Sequence, residues 1–161
     1  MKRFTKFGLV VVLLAIPAGY TQIDSPLYRL PLETMLVQTP EGAEIEFEIV
    51  VVNTNADRAQ GLMYIRFLPL DHGMLFQFPR ERVLSMWMKN TYISLDMWFV
   101  SNDGEIVHVV EHTTPESLES ISSQEPAAVV LEVNAGLSSL LGVTPGTVIK
   151  HRSFENQNAE P

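Results

Sequence analysis

The stretch Glu44-Ile45-Glu46-Phe47-Glu48-Ile49 alternates strictly, with three acids on one side and three apolar residues on the other. A period of two predicts a strand with one wet face and one buried face. Thr34 to Gln38 reads as its partner strand, joined to it through the turn residues Pro40-Glu41-Gly42. Further on, Asn53-Thr54-Asn55 supplies N-cap side chains for a short helix over Ala56 to Met63, with Gly61 inside it as a weak point. Gly73 to Phe78 reads as a strand ended by Pro79, and Val83 to Lys89 as another. Leu95 to Val100 and Ile106 to Val110 flank Asn102-Asp103-Gly104, a hairpin signal because Asp-Gly suits a turn with positive φ. Ala127 to Val133 is a further strand. Asn134 is placed to cap a short helix that runs to Leu141 and stops at Gly142. Pro145-Gly146 turns the chain into a last strand, Thr147 to Lys150.

These elements add up to seven or eight short strands and two short helices. Strands joined by tight turns, rather than alternating with helices, predict a mainly β domain, an antiparallel sandwich or a barrel-like fold. The domain is expected over residues 30–152, with 21–29 as a linker and 153–161 as a flexible tail.

The first twenty residues follow a different pattern. Lys2, Arg3 and Lys6 precede a ten-residue apolar run, Phe7 to Ile16. That run is shorter than the roughly 20 residues of a bilayer span and matches the apolar region of a signal peptide. Cleavage after Ala18 is the expectation, with Ile16 a poor residue three positions earlier, and an uncleaved tether is the alternative. The expected location is periplasmic or secreted, with membrane contact only through this segment if it stays attached. Removing residues 1–18 takes away three positive charges and moves the formal net charge from −8 to about −11. Such an acidic domain argues against nucleic acid as a partner, which requires a positive face. The chain has no cysteine, so disulfides, a thiol nucleophile and thiolate metal sites are excluded and the core alone must hold the fold.

Several words of the sequence resemble one known family. They are Arg58-Ala59-Gln60-Gly61-Leu62-Met63, Gly73-Met74-Leu75-Phe76-Gln77-Phe78, Met86-Trp87-Met88-Lys89-Asn90-Thr91, Leu95-Asp96, Val130-Leu131-Glu132-Val133 with Ala135-Gly136, and Gly142-Val143 with Gly146. In this order they are similar to the domain of unknown function 192, over residues 58–151. The resemblance implies a small sandwich or barrel domain with no established activity. Ser94 stands where that family usually has proline, and Met86 where an aromatic is common.

Three constellations carry candidate chemistry. His108-Val-Val-Glu111-His112 spells the H-x-x-E-H pattern of a zinc peptidase group. That pattern works on a helix. In the β-branched run where it stands, the two histidines would lie about 13 Å apart, beyond the reach of one zinc. Five of the seven methionines, Met63, Met74, Met86, Met88 and Met97, fall between residues 63 and 97. Thioethers suit Cu(I), and Met86, Met88 and His72 are the candidate ligands of a copper-handling protein. The commoner role of methionine is to fill a core. The third group is Trp87, Lys89, Asn90 and Thr91 with Asp96 and, from the short helix, Arg58. It offers an aromatic platform, an amine, an amide, a hydroxyl and a carboxylate to a small polar ligand. The same polar groups also suit turn hydrogen bonding, and Arg58 with Glu132 suits an ion pair between helix and sheet.

No phosphate loop, dinucleotide fingerprint or nucleophile elbow occurs, and no cofactor is expected. The leading expectation is a binding or accessory module, ahead of an enzyme, for a small polar ligand or an envelope partner. The alternatives are copper handling and a hydrolase with Asp96 or His72 as general base.

Overall fold

The structure, a computed structural model, describes residues 25–155. The expected signal segment and all but the start of the expected tail lie outside the described residues. Seven strands form one mixed sheet: β1 (Leu32–Gln38), β2 (Glu44–Val52), β3 (His72–Met86), β4 (Leu95–Val100), β5 (Ile106–Val110), β6 (Ile121–Asn134) and β7 (Val148–Lys150). Four short helices accompany them: α1 (Pro26–Arg29), α2 (Asn55–Gln60), α3 (Leu137–Leu141) and α4 (Arg152–Glu155). The strand order is β5-β4-β6-β3-β2-β1-β7. The sheet curls into a half-barrel, not a clear sandwich. Its two edges approach each other where Glu105 bridges Val148. There the Ile149 amide donates to the Gly104 carbonyl at 2.7 Å. Gly104 allows this approach: it has φ +83, and a Cβ on it would stand 2.6 Å from the Ile149 carbonyl oxygen.

Three expectations are corrected. The sheet is not purely antiparallel, because β2 and β3 pair in parallel. The chain between them travels back through α2 and residues 61–71, as a parallel crossover requires. The two strands expected on either side of Pro79 are one strand, β3. Phe78 to Glu81 lie opposite Ala128 alone, so Pro79 sits in a bulge where its missing N–H breaks no ladder bond. Helices α1 and α4 were not expected, being only four residues each. α1 is tied to α2 by an Arg29–Asp57 ion pair. Beside α4, Arg152 and His151 both hold Glu33 on β1, with His151 Nε2 at 3.1 Å.

The sheet is apolar on both sides. Along β4, Leu95, Met97 and Phe99 enter one core and Trp98 and Val100 the other. The inner core, within the curl, gathers Met35, Phe47, Leu75, Trp98, Leu131 and Phe154. Phe47 meets Trp98 edge to face at 5.8 Å. The outer core, which includes Met74, Phe76, Phe99 and Val130, is covered by Leu62, Ile65 and Leu68 from the crossover loop. Gly61 ends α2 with φ +47, and a Cβ there would meet the Phe76 ring at 3.1 Å. A glycine is what lets the loop settle on the sheet.

Asp96 is an acid on the inner side and is fully buried. Its carboxylate accepts from the His112 amide at 2.9 Å, the Gly136 amide at 3.0 Å, the Ser138 amide at 2.9 Å and the Ser138 hydroxyl at 2.7 Å. Burial pushes its pKa up, but the bonds from His112, Ser138 and Gly136 outweigh burial and hold it below the usual carboxylate value. The Trp98 indole N–H donates to the Ser138 hydroxyl at 2.8 Å, extending the network into the core. Asp96 thus fixes the start of α3. Asn134, expected to cap that helix, instead donates to the carbonyls of Leu68 and Pro69 at 3.0 Å each. Replacing Asp96 by alanine strands three amides and should cost at least about 3 kcal/mol in urea unfolding. A loss below about 1 kcal/mol would show that the network is dispensable.

Candidate functional site

The outer core is incomplete over the middle of the sheet. A cavity of about 380 Å³ opens there between α2, the bulged end of β3 and the segment that follows it. Arg58, Gly61, Leu62 and Met63 form one wall, and Phe76, Phe78, Ser85 and Met86 of β3 another. Trp87, Lys89 and Thr91 line it from the next turn, Leu118 and Ser120 from the approach to β6, and Glu132 from β6 itself. The site is therefore mostly apolar with a few convergent polar groups, the usual make-up of a small-molecule pocket.

Glu132 is the residue that sequence reasoning assigned only to an ion pair. On β6 it stands opposite Met74 on one side and Met97 on the other, both fully buried. Its neighbours Leu131 and Val133 point into the inner core, so the alternation of the strand sends Glu132 to the outer face and into the cavity. The residue is 5% exposed and its carboxyl has no hydrogen-bond or ion-pair partner among the described residues. Burial alone pushes its pKa up to about 8. Position within Val-Leu-Glu-Val was the available signal: an acid inside an apolar strand run is either exposed at an edge or buried with a purpose.

Arg58 does not pair with Glu132. It donates from Nη1 to the carbonyls of Asn53 and Gln77, the latter at 2.8 Å, and from Nη2 to the Asn55 side chain. Its guanidinium lies 5.2 Å from the Phe78 ring, and Arg82 contacts the same ring at 5.9 Å. Lys89 is exposed and stands 5.2 Å from the Trp87 ring. Thr91 is buried, with its hydroxyl donating to the Lys89 carbonyl at 3.3 Å.

Asn90 does not line the cavity but fastens its wall. Its side-chain amide donates to the Tyr64 hydroxyl at 2.9 Å and contacts the Met63 sulfur at 3.7 Å, while its carbonyl accepts from the Tyr64 amide at 2.8 Å. Both residues have positive φ, 54° at Asn90 and 67° at Tyr64. For a tyrosine that is a strained conformation, which the paired contacts hold in place.

The other candidates are not brought to this site. Asp96 lies on the inner side and is saturated by its four donors, which makes it a poor base and removes it from the ligand group. His72 is at the opposite end of the fifteen-residue β3, bonded to Asp71 at 2.8 Å. The proposed copper set is likewise dispersed: Met88, Met74 and Met97 are sealed in the core, and Met86 lines the cavity far along β3 from His72. His108 stands on β5, stacked on Phe99 at 5.9 Å, and His112 follows with φ +53. The helix that H-x-x-E-H zinc binding needs is not formed. Ser94, at the usual proline position, donates to the Thr113 carbonyl at 2.7 Å.

The raised pKa of Glu132 has a consequence for stability. In the unfolded chain the group ionises near its ordinary value of 4.5, and in the folded chain only near 8. Between those values the unfolded state holds fewer protons, so this group's contribution falls as pH rises and levels off above about 8. Glu132→Gln removes that slope. Its stability relative to the parent should climb from pH 5 to pH 8.5 by an amount on the order of 4 kcal/mol, read from urea midpoints. A difference independent of pH would mean the acid ionises normally.

Residues 36–151 match the domain of unknown function 192, described as an uncharacterized ACR. No curated protein matches the chain. A crystal structure from Sinorhizobium meliloti 1021, described as a "putative transcription regulator", is 41% identical, with a TM-score of 0.75 over 77% of this chain and 96% of that one. A protein of unknown function from Novosphingobium aromaticivorans DSM 12444 is 30% identical, with a TM-score of 0.72 over 76% of this chain and 86% of that one. With the family match extending over most of its sheet, this chain belongs to the domain of unknown function 192 family.

Proposed function

We propose that the domain is a binding module for a small ligand with an apolar body, held in the cavity over Glu132. The observation that carries this reading is the unpartnered Glu132 carboxyl facing a cavity of about 380 Å³. A carboxyl with no protein partner among the described residues that opens only to a mostly apolar cavity is poorly solvated, which costs free energy. A ligand atom that bonds to it recovers part of that cost, while contact with Phe76, Phe78, Met63 and Met86 removes the ligand's apolar surface from water. A purely polar ligand, the sequence-based expectation, suits these walls less well. The formal charge of −8 counts against a nucleic-acid role of the kind the description of the Sinorhizobium protein suggests.

The neutral dye Nile red tests the cavity on the full chain. Saturable fluorescence enhancement is expected. It should weaken at least about tenfold in Ser120→Trp, which fills the mouth, since overpacking costs about 1–3 kcal/mol. Leu140→Trp, on the far exposed face of α3, should leave it unchanged. Equal binding by all three proteins would place the dye elsewhere and sink the reading.

The module is further proposed to act outside the cytoplasm, on the support of Lys2, Arg3 and Lys6 ahead of the apolar run Phe7 to Ile16. Fractionation of a C-terminally tagged full chain should recover it from the periplasm or medium, shortened by residues 1–18 or membrane-bound by them. Full-length protein in the cytosol would overturn export.

A further inference from the structure

Resting on the cavity reading above, we propose that the ligand is an organic anion, an apolar body ending in a carboxylate, with its charge met by Arg58 and Lys89 at the cavity wall. The sign of the site is the reason. In a chain of formal charge −8, this cavity is lined by two cations and one acid. Neither Arg58 nor Lys89 has a carboxylate partner among the described residues. Arg58 is held by two backbone carbonyls and one amide oxygen. Those neutral acceptors fix its position without cancelling its charge. They use three of the five N–H donors of a guanidinium, leaving two for a ligand.

The acid does not oppose an anion. Glu132 opens only to the cavity, sits between Met74 and Met97, and has its pKa pushed up to about 8 by burial, so the neutral acid predominates at pH 7. It meets an incoming ligand as an O–H donor, not as a negative charge. The two cations with a neutral acid give the cavity a net positive lining within an acidic protein. A ligand ammonium would face the reverse arrangement: two like charges at the wall and an acid that must first lose its proton.

Calorimetric titration of the full chain at pH 7 with phenylbutyrate, phenylbutanol and phenylbutylamine separates the possibilities, since the three share one body and differ in head group. The acid should bind at least about tenfold tighter than the alcohol, and the amine weakest. Lys89→Ala, an exposed position, should erase most of the acid's advantage over the alcohol, weakening the acid by a larger factor than the alcohol. Arg58→Gln should do the same if it remains folded. The Lys89 variant decides the matter if it does not. Tightest binding of the amine or the alcohol would overturn the anion assignment while sparing the cavity. An advantage for the acid that survives in Lys89→Ala and in folded Arg58→Gln would overturn the assigned residues. Absence of binding by all three, together with failure of Nile red, would remove the cavity reading itself, whereas their absence beside a positive dye result would reject only the anion.

Discussion

Strand β6 pairs with β3 on one side and β4 on the other, and over Ala127 to Val133 both of its faces are covered. Most of the structure follows from that. Val129, Leu131 and Val133 must fit the inner core while Val130 and the residues level with it must fit the outer one. A one-residue slip would exchange the two sets and bring Glu132 into the curl of the barrel, where Trp98 and Leu75 already fill the space. The register of β6 is thereby fixed from both sides, and with it the position of the acid. In a sheet with one wet face the same acid would be solvated and ordinary. Here it is largely withdrawn from solvent and opens only to the cavity that the roof over the outer face leaves.

The roof comes from the topology. A parallel β2–β3 pair obliges the chain to return along the sheet, and the returning segment lays Leu62, Ile65 and Leu68 onto the outer face. Thr54 starts α2 by accepting from the Asp57 amide, and Gly61 stops it against Phe76. The bulge around Pro79 then carries the distal part of β3 and its partner in β6 over the same face, bringing Ser85 and Met86 to the mouth. Tyr64 and Asn90 join the two walls through strained backbones. The cavity is the space these three segments leave between them, so it is a product of the crossover and the bulge, not of any single motif.

That origin explains what could be read from the sequence. Local features were legible: the alternation of β2, the bounds of β4 and β5 at Leu95–Val100 and Ile106–Val110, a cap within Asn53-Thr54-Asn55 and the stop at Gly142. Each is decided within a few residues. The continuity of β3 through Pro79 was not legible, because a proline reads as a strand end unless a partner strand supplies a bulge. The parallel pairing of β2 and β3 was not legible either, since it depends on where the crossover lands. Among the site residues, Arg58, Trp87, Lys89 and Thr91 were named from family words and do meet at the cavity. Asp96 stands only five residues from Thr91 in sequence but on the other side of the sheet, a distinction that local spacing does not carry.

Asp96 and Glu132 show why packing had to decide. Both are acids in apolar strands, both fall within family words, and both are almost wholly withdrawn from solvent. Asp96 meets four donors, so its charge is stabilised and its role is spent on joining β4 to α3. Glu132 meets none among the described residues, and burial drives it toward the neutral form. A saturated carboxylate has nothing to offer a ligand. The carboxyl of Glu132, without a protein partner among the described residues, opens to a cavity that Arg58 and Lys89 also line, so it is the packing of the outer face, not the strand's own sequence, that keeps this acid available to a ligand.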